Sequence, residues 1–139
     1  MPIQTARAFI AWTQPHLAPP AGAAFALGAQ TGDGTLVGVV LVGWPTAWAF
    51  DDGDTAEVLA LATDGTSDAS RALLGAVWPL AREMGYRRLI AYTCIEESGT
   101  DLWDAGFRVV RRPLGWHAIS RADDVARVMW AIRAVGGRR

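Results

Sequence analysis

The chain contains no lysine and only one cysteine; all thirteen of its basic residues are arginine. A lone cysteine, Cys94, excludes an internal disulfide. Neither it nor the two histidines, His16 and His117, stands in a cluster with zinc-ligand spacing, so no metal is expected. The missing lysine reflects GC-rich coding rather than a chemical requirement. No apolar run approaches the ~20 residues that cross a bilayer, and the opening "MPIQTARAFIAW" lacks the apolar core of a signal peptide. These absences point to a cytoplasmic protein with no membrane partner. An excess of one charge is missing too. Thirteen basic against fourteen acidic residues give −1, which offers no broad field to a phosphate backbone and makes nucleic acid a poor partner unless a local basic stripe exists. There is no low-complexity tract or internal repeat, and 51% hydrophobic residues are too many for a disordered chain.

What is present reads as one domain of 139 residues, large enough to bury about two-thirds of its unfolded surface. Residues 1–22 are expected to hold a short helix from Ala6 to Thr13 and a linker rich in proline, residues 23–119 the core, and residues 120–135 a C-terminal helix. "AAFALGAQ" and "TLVGVVLVGW" flank "TGDG", a hairpin signal. The next strand is "TAEVLALAT", Thr55 to Thr63. Strict alternation puts Thr55, Glu57, Leu59 and Leu61 on one face and Ala56, Val58, Ala60 and Ala62 on the other. Ser67 to Met84 has helical periodicity, with Gly85 as its stop and Pro79 inside it, and "RRLIAYT" follows as a strand. Strand, helix and strand in that order make a right-handed parallel βαβ unit. "SGTDLWDAGF" reads as a short helix ended by Gly106, and "RVVRRP" and "GWHAIS" as closing strands. The last helix has Ser120 as its cap and a stripe of Val125, Val128, Met129, Ile132 and Val135, which suits packing on the sheet or joining two subunits as a homodimer.

Ligands in an open α/β sheet bind beyond the carboxyl ends of parallel strands, where a helix N-terminus offers N–H groups to an anion. "TDGTSDAS" occupies that junction, and backbone donors of Thr66 to Arg71 would form an anion cradle or simply cap the helix. Glu57 is a carboxylate inside a strand. It is either a general base or a surface-facing partner for an arginine.

The order of these elements resembles the GNAT acyltransferase superfamily over roughly Ala23 to His117. "AEVLALAT" looks like its central strand with an internal Glu, "REMGYRRLIAYT" like its helix-to-strand passage, and "DLWDAGF" like its Gly-Phe ending. "DDGDTAEV", "TDGTSDAS" and "GYRRLIAYT" further resemble a branch of GNAT-like proteins common on phages and mobile elements. The resemblance implies a mixed α/β (α+β) domain whose central sheet contains one parallel βαβ unit, and an acetyl-CoA-dependent N-acyltransferase acting on a primary amine. With no lysine, the chain would hold no lysine of its own to modify. It implies Glu57 as the base, and Leu61, Ala62, Thr63, Thr66, Ser67, Asp68, Ala69, Ser70 and Arg71 as the coenzyme A site. Two departures stand out. The superfamily loop normally has Arg or Gln and two glycines before the helix, where this chain has Asp68 and Ser70. The superfamily also often has a Tyr, four residues before the Gly, that protonates the leaving thiolate, and Leu102 stands there. Either another group takes over that role, with Tyr92 the residue expected and Cys94 and Ser98 the other near candidates, or water does.

Trp44 and Trp48, followed by Asp51, Asp52 and Asp54, lie where this superfamily opens its acceptor cleft. An aromatic wall beside carboxylates suits a small cationic amine, while the alternative is core tryptophans and a solvated acidic turn. Trp12, Trp103, Trp116 and Trp130 read as packing, and Cys94 as a small buried residue. Two other functions fit the same residues: modification of DNA or a partner protein, and acyl-CoA binding without catalysis.

Overall fold

A computed structural model describes residues 1–14, 22–45, 52–94, 98–110 and 127–134. The elements are α1 (Ile3–Thr13), β1 (Ala23–Gln30), β2 (Leu36–Gly43), β3 (Thr55–Thr63), α2 (Ala69–Glu83), β4 (Arg88–Cys94), α3 (Thr100–Asp104), β5 (Arg108–Val109) and β6 (Arg127–Arg133). All the described strands join one mixed sheet in the order β1-β2-β3-β4-β6-β5, antiparallel except for the β3–β4 pair. The two long helices cover it. Ala6, Phe9 and Ile10 sit at the one-turn spacing of an amphipathic helix and press α1 onto Ala26, Val39 and Leu41, while Leu73, Leu74 and Val77 hold α2 against Val40, Val42 and Ala56.

Two breaks in regularity open the middle of the sheet. Across β2 and β3, Leu41 pairs with Ala60 but Val42 pairs with Val58, so Leu59 is one residue too many on β3. Such a bulge bends and twists the strand that carries it. It also breaks the strict alternation expected for this strand. Past it, Leu61 packs with Ala56 and Val58 on the α2 side, and Leu59 and Ala62 pack with the α1 cluster. Next to the bulge the parallel ladder stops. Thr55, Ala56 and Glu57 pair with Arg88, Leu89 and Ile90, and from there the strands separate although they continue to Thr63 and Cys94.

Helix α2 runs through Pro79. A proline ring crowds the carbonyl four residues earlier, and that residue is Gly75, whose surroundings are open. The helix ends in a Schellman motif: Tyr86 N–H donates to Ala81 O at 3.1 Å and Gly85 N–H to Arg82 O at 3.0 Å, with Gly85 at φ +100. Helix α3 ends the same way, through Phe107 N–H to Leu102 O and Gly106 N–H to Trp103 O, and buries both Leu102 and Phe107.

The expected C-terminal helix over 120–135 is corrected where the structure describes it, because Arg127–Arg133 is strand β6, paired with β4 from Arg88↔Arg133 to Cys94↔Arg127 and with β5. Val128, Met129, Trp130, Ala131 and Ile132 form an uninterrupted apolar run. Such a run serves both faces of an interior strand: Trp130 joins the α2-side core, and Met129 packs with Ile90 on the other side. The helix-based argument for a homodimer loses its support over these residues. The strand expected over "RVVRRP" is described only as Arg108–Val109; "GWHAIS" lies outside the described residues.

Candidate active site

The separation of β3 and β4 leaves a cleft of about 520 Å³. Val58 to Leu61 form one wall, Ala91 to Thr93 the other, and Ser98 to Leu102 together with Ser70 and Leu74 close its helix side. The residue just before the Val58 wall is Glu57, the last paired residue of β3, fully buried and not itself among the lining residues. An interior strand position rules out the surface-facing alternative. A carboxylate withdrawn from water costs several kcal/mol unless partners or a function compensate. Ile90, opposite Glu57, packs with Tyr92 and Met129 on the sheet face away from α2, so Glu57 and Tyr92 share that face, and Tyr92 lines the cleft half-buried.

The loop between β3 and α2 folds on its own side chains. Asp64 Oδ1 accepts from the Thr66 amide at 2.9 Å and the Thr66 hydroxyl at 2.5 Å, and Thr63 Oγ1 accepts from the Gly65 amide at 3.2 Å. The Thr66 hydroxyl and then its amide hold the Asp64 carboxyl below the usual carboxylate range. Asp68 precedes the helix at φ 66, the one non-glycine residue in the left-handed region among the described residues, and its side chain makes no capping bond. It is exposed. The first turn of α2 therefore keeps N–H groups that no side-chain cap takes up. Ser70 and Leu61 line the cleft, while Ala62 and Ala69 are buried and are not among its lining residues. Arg71 leans on Asp104 of α3 at 3.5 Å, the arginine largely exposed and the aspartate about one-third so.

Leu102 is 5% exposed and packs in the core beneath the cleft, which fixes it as an apolar wall where a proton donor was sought. Ser98 lines the cleft and its hydroxyl bonds Thr100. Of the acceptor residues, Trp44 follows Gly43, the β2 residue paired with Glu57, and is 60% exposed. It is therefore not a core tryptophan. Asp52 and Asp54 are corrected: they lie at the amino ends of β3 and β4, away from the cleft, with Arg87, Arg88 and Arg133 around them. Asp52 accepts from the Asp54 amide and the Thr55 hydroxyl and pairs with Arg88 at 3.4 Å, and the Asp54 amide is the main reason its carboxyl is held below the ordinary range. Trp48, Asp51, Trp116, His16 and His117 lie outside the described residues, as does the Cys94 side chain. Trp12 and Trp103, expected as packing residues, are exposed, Trp103 beneath the Arg108 guanidinium at 3.6 Å. Sequence reasoning missed Thr93 and the wall from Gly99 to Asp101. Thr93 carried a signal, since its hydroxyl follows Tyr92 on a strand running into the junction.

No family model matches the chain, and no curated protein does. Solved structures do. An IAA acetyltransferase from Bacillus cereus superposes with a TM-score of 0.65 at 16% identity, over 92% of this chain and 91% of that one. A Bacillus subtilis acetyltransferase solved in complex with CoA gives 0.58 at 14% identity, over 79% and 76%. The GNAT domain of S. lividans PAT gives 0.55 at 26% identity, over 77% of this chain and 60% of that one. The protein has the GNAT acetyltransferase fold.

Proposed function

We propose that the protein is an N-acetyltransferase that moves an acetyl group from acetyl-CoA to the primary amine of a small molecule. The observation that carries this reading is the cleft opened where the β3–β4 ladder stops after Glu57 and Ile90, with Ser70 of the first turn of α2 on its lining and the buried carboxylate residue Glu57 next to the lining residue Val58.

Coenzyme A fits these residues through backbone donors rather than basic side chains. Asp64 is turned onto the Thr66 donors, and the small side chains of Thr66, Ser67 and Ser70 leave room for a pyrophosphate at the helix start. Asp68 opposes that anion by charge alone, being exposed. Acetyl-CoA supplies a thioester whose carbonyl carbon the amine attacks. The backbone of β3 beyond Glu57, no longer paired with β4, faces the cleft and supports the pantetheine arm. Glu57 takes the proton that the amine must lose for its nitrogen to form the new C–N bond. Tyr92 gives a proton to the sulfur as the C–S bond breaks; phenol, with a pKa near 10, is close enough to a thiol near 8.5 for that transfer. Trp44 offers its face to a cationic amine.

The test is thiol release from acetyl-CoA in the presence of a panel of amines. Acceptor-dependent release supports the reading, and no release with any acceptor overturns it. The burial of Leu102 favours one second reading, an acyl-CoA-binding domain without transfer. Coenzyme A would then raise the melting temperature by mass action while no acceptor released thiol.

A further inference from the structure

On β6, the Trp130 indole N–H donates to Thr93 Oγ1 at 3.0 Å. An indole nitrogen is a donor only, so Thr93 must be the acceptor, and its own O–H proton points elsewhere. Among the described residues that hydroxyl donates to no other group. Thr93 lines the cleft. The same indole also supports the opposite part of the wall. Gly99, at φ +71, lies so close over it that a Cβ there would overlap the ring. One side chain thus fixes both the direction of the Thr93 hydroxyl and the position of the Gly99 backbone, and accepting a bond from the indole makes the threonine O–H a stronger donor.

We propose that the Thr93 hydroxyl donates a hydrogen bond to a carbonyl oxygen on the acyl-pantetheine arm of the ligand, and that Trp130 is the positioning residue that directs it there. This rests on the acyl-CoA reading of the cleft. The donor does not act as an acid, because an aliphatic alcohol is far too weak an acid to protonate a thiolate whose conjugate thiol has a pKa near 8.5. Its partner is therefore an oxygen acceptor held in place, and Thr93 adds affinity for the arm and not for the nucleotide.

The test compares binding of acetyl-CoA and of adenosine 3′,5′-bisphosphate, which has no pantetheine arm, by titration calorimetry. Thr93→Val should weaken acetyl-CoA about 5-fold and leave the bisphosphate unchanged, and Thr93→Ser should restore acetyl-CoA binding. Trp130→Phe should weaken acetyl-CoA in the wild-type background and have no further effect beside Thr93→Val. The single Thr93→Val change leaves a buried indole N–H without its acceptor. If that protein fails to fold, the Thr93→Val/Trp130→Phe protein carries the test with both polar groups removed. Unchanged acetyl-CoA affinity, or an equal loss for both ligands, overturns the proposal while wild-type binding leaves the acyl-CoA reading standing. Wild-type protein that binds neither ligand removes the acyl-CoA reading and the proposal with it.

Discussion

Glu57 and Ile90 are the last register pair of the parallel ladder, and beyond them the sheet divides around a cleft. Glu57 is thus held by paired backbone on both sides, β2 through Gly43 and β4 through Ile90, while its neighbour Val58 already lines the opening. Glu57→Gln keeps the shape and removes the proton acceptor. Turnover near neutral pH should fall by ~100-fold with acyl-CoA affinity little changed. Raising the pH should recover part of the loss, because more of the amine is then neutral. Parental turnover at pH 7 with chemistry rate-limiting would make Glu57 a structural residue.

Tyr92 shares that sheet face and lines the cleft, so Tyr92→Phe should lower kcat by ~10-fold or more. A variant that keeps the parental rate would show that water protonates the sulfur.

In the acyl-CoA reading, a ligand at the start of α2 would meet backbone donors and the exposed Asp68 carboxylate. Ser70→Glu should weaken acyl-CoA binding through added negative charge, whereas Asp68→Asn should leave it equal or tighter, since asparagine also tolerates φ 66. Calorimetry decides, and tighter binding by the Ser70→Glu protein would place the phosphates elsewhere.

Gly99→Ala should destabilise the fold, because the residue sits at φ +71 with its Cβ position inside the Trp130 ring. A loss of ~2 kcal/mol or more is expected from strain and overlap together, read as a lower melting temperature with altered tryptophan fluorescence. An unchanged melting curve would mean that the α3 loop shifts freely.

Asp52 sets a pH dependence whose sign follows from its lowered pKa. A carboxylate held below its unfolded value near 3.9 adds stability that is complete above that value and is lost as the pH falls through the folded value. The Asp54 amide, the Thr55 hydroxyl and the Arg88 guanidinium all favour the ionised form. Asp52→Asn should flatten the fall of melting temperature below about pH 4. An acid limb of unchanged slope would show that the turn contributes nothing.

Much of this architecture is legible in the chain because its punctuation is local. β1 and β3 fall on the expected residues, and α2 ends at Gly85, where glycine alone readily takes φ +100. Glu57 is legible too, as a charge in an otherwise apolar strand. β6 is not, because an unbroken apolar run satisfies a helix stripe and a two-faced strand equally, and only the neighbours of Arg127–Arg133 decide. Nor is the bulge, since "VLALA" is apolar on both faces and shows no change of pattern where the register slips at Leu59. The acidic turn misled for a related reason. Asp52 and Asp54 are close to Glu57 in sequence, but a strand carries its ends apart, and they meet arginines at the far end.

The extra residue at Leu59 is a matter of length and not of side-chain chemistry. A gap made by inserting one backbone unit persists under almost any substitution along the strand, so composition can drift widely while the opening stays. Removing Leu59 would restore regular pairing with β2 while Leu61 stays on the α2 side and Ala62 on the α1 side, so the later side chains of β3 would keep their faces. A protein whose central opening is encoded by counting can share its shape with proteins whose residues it scarcely shares.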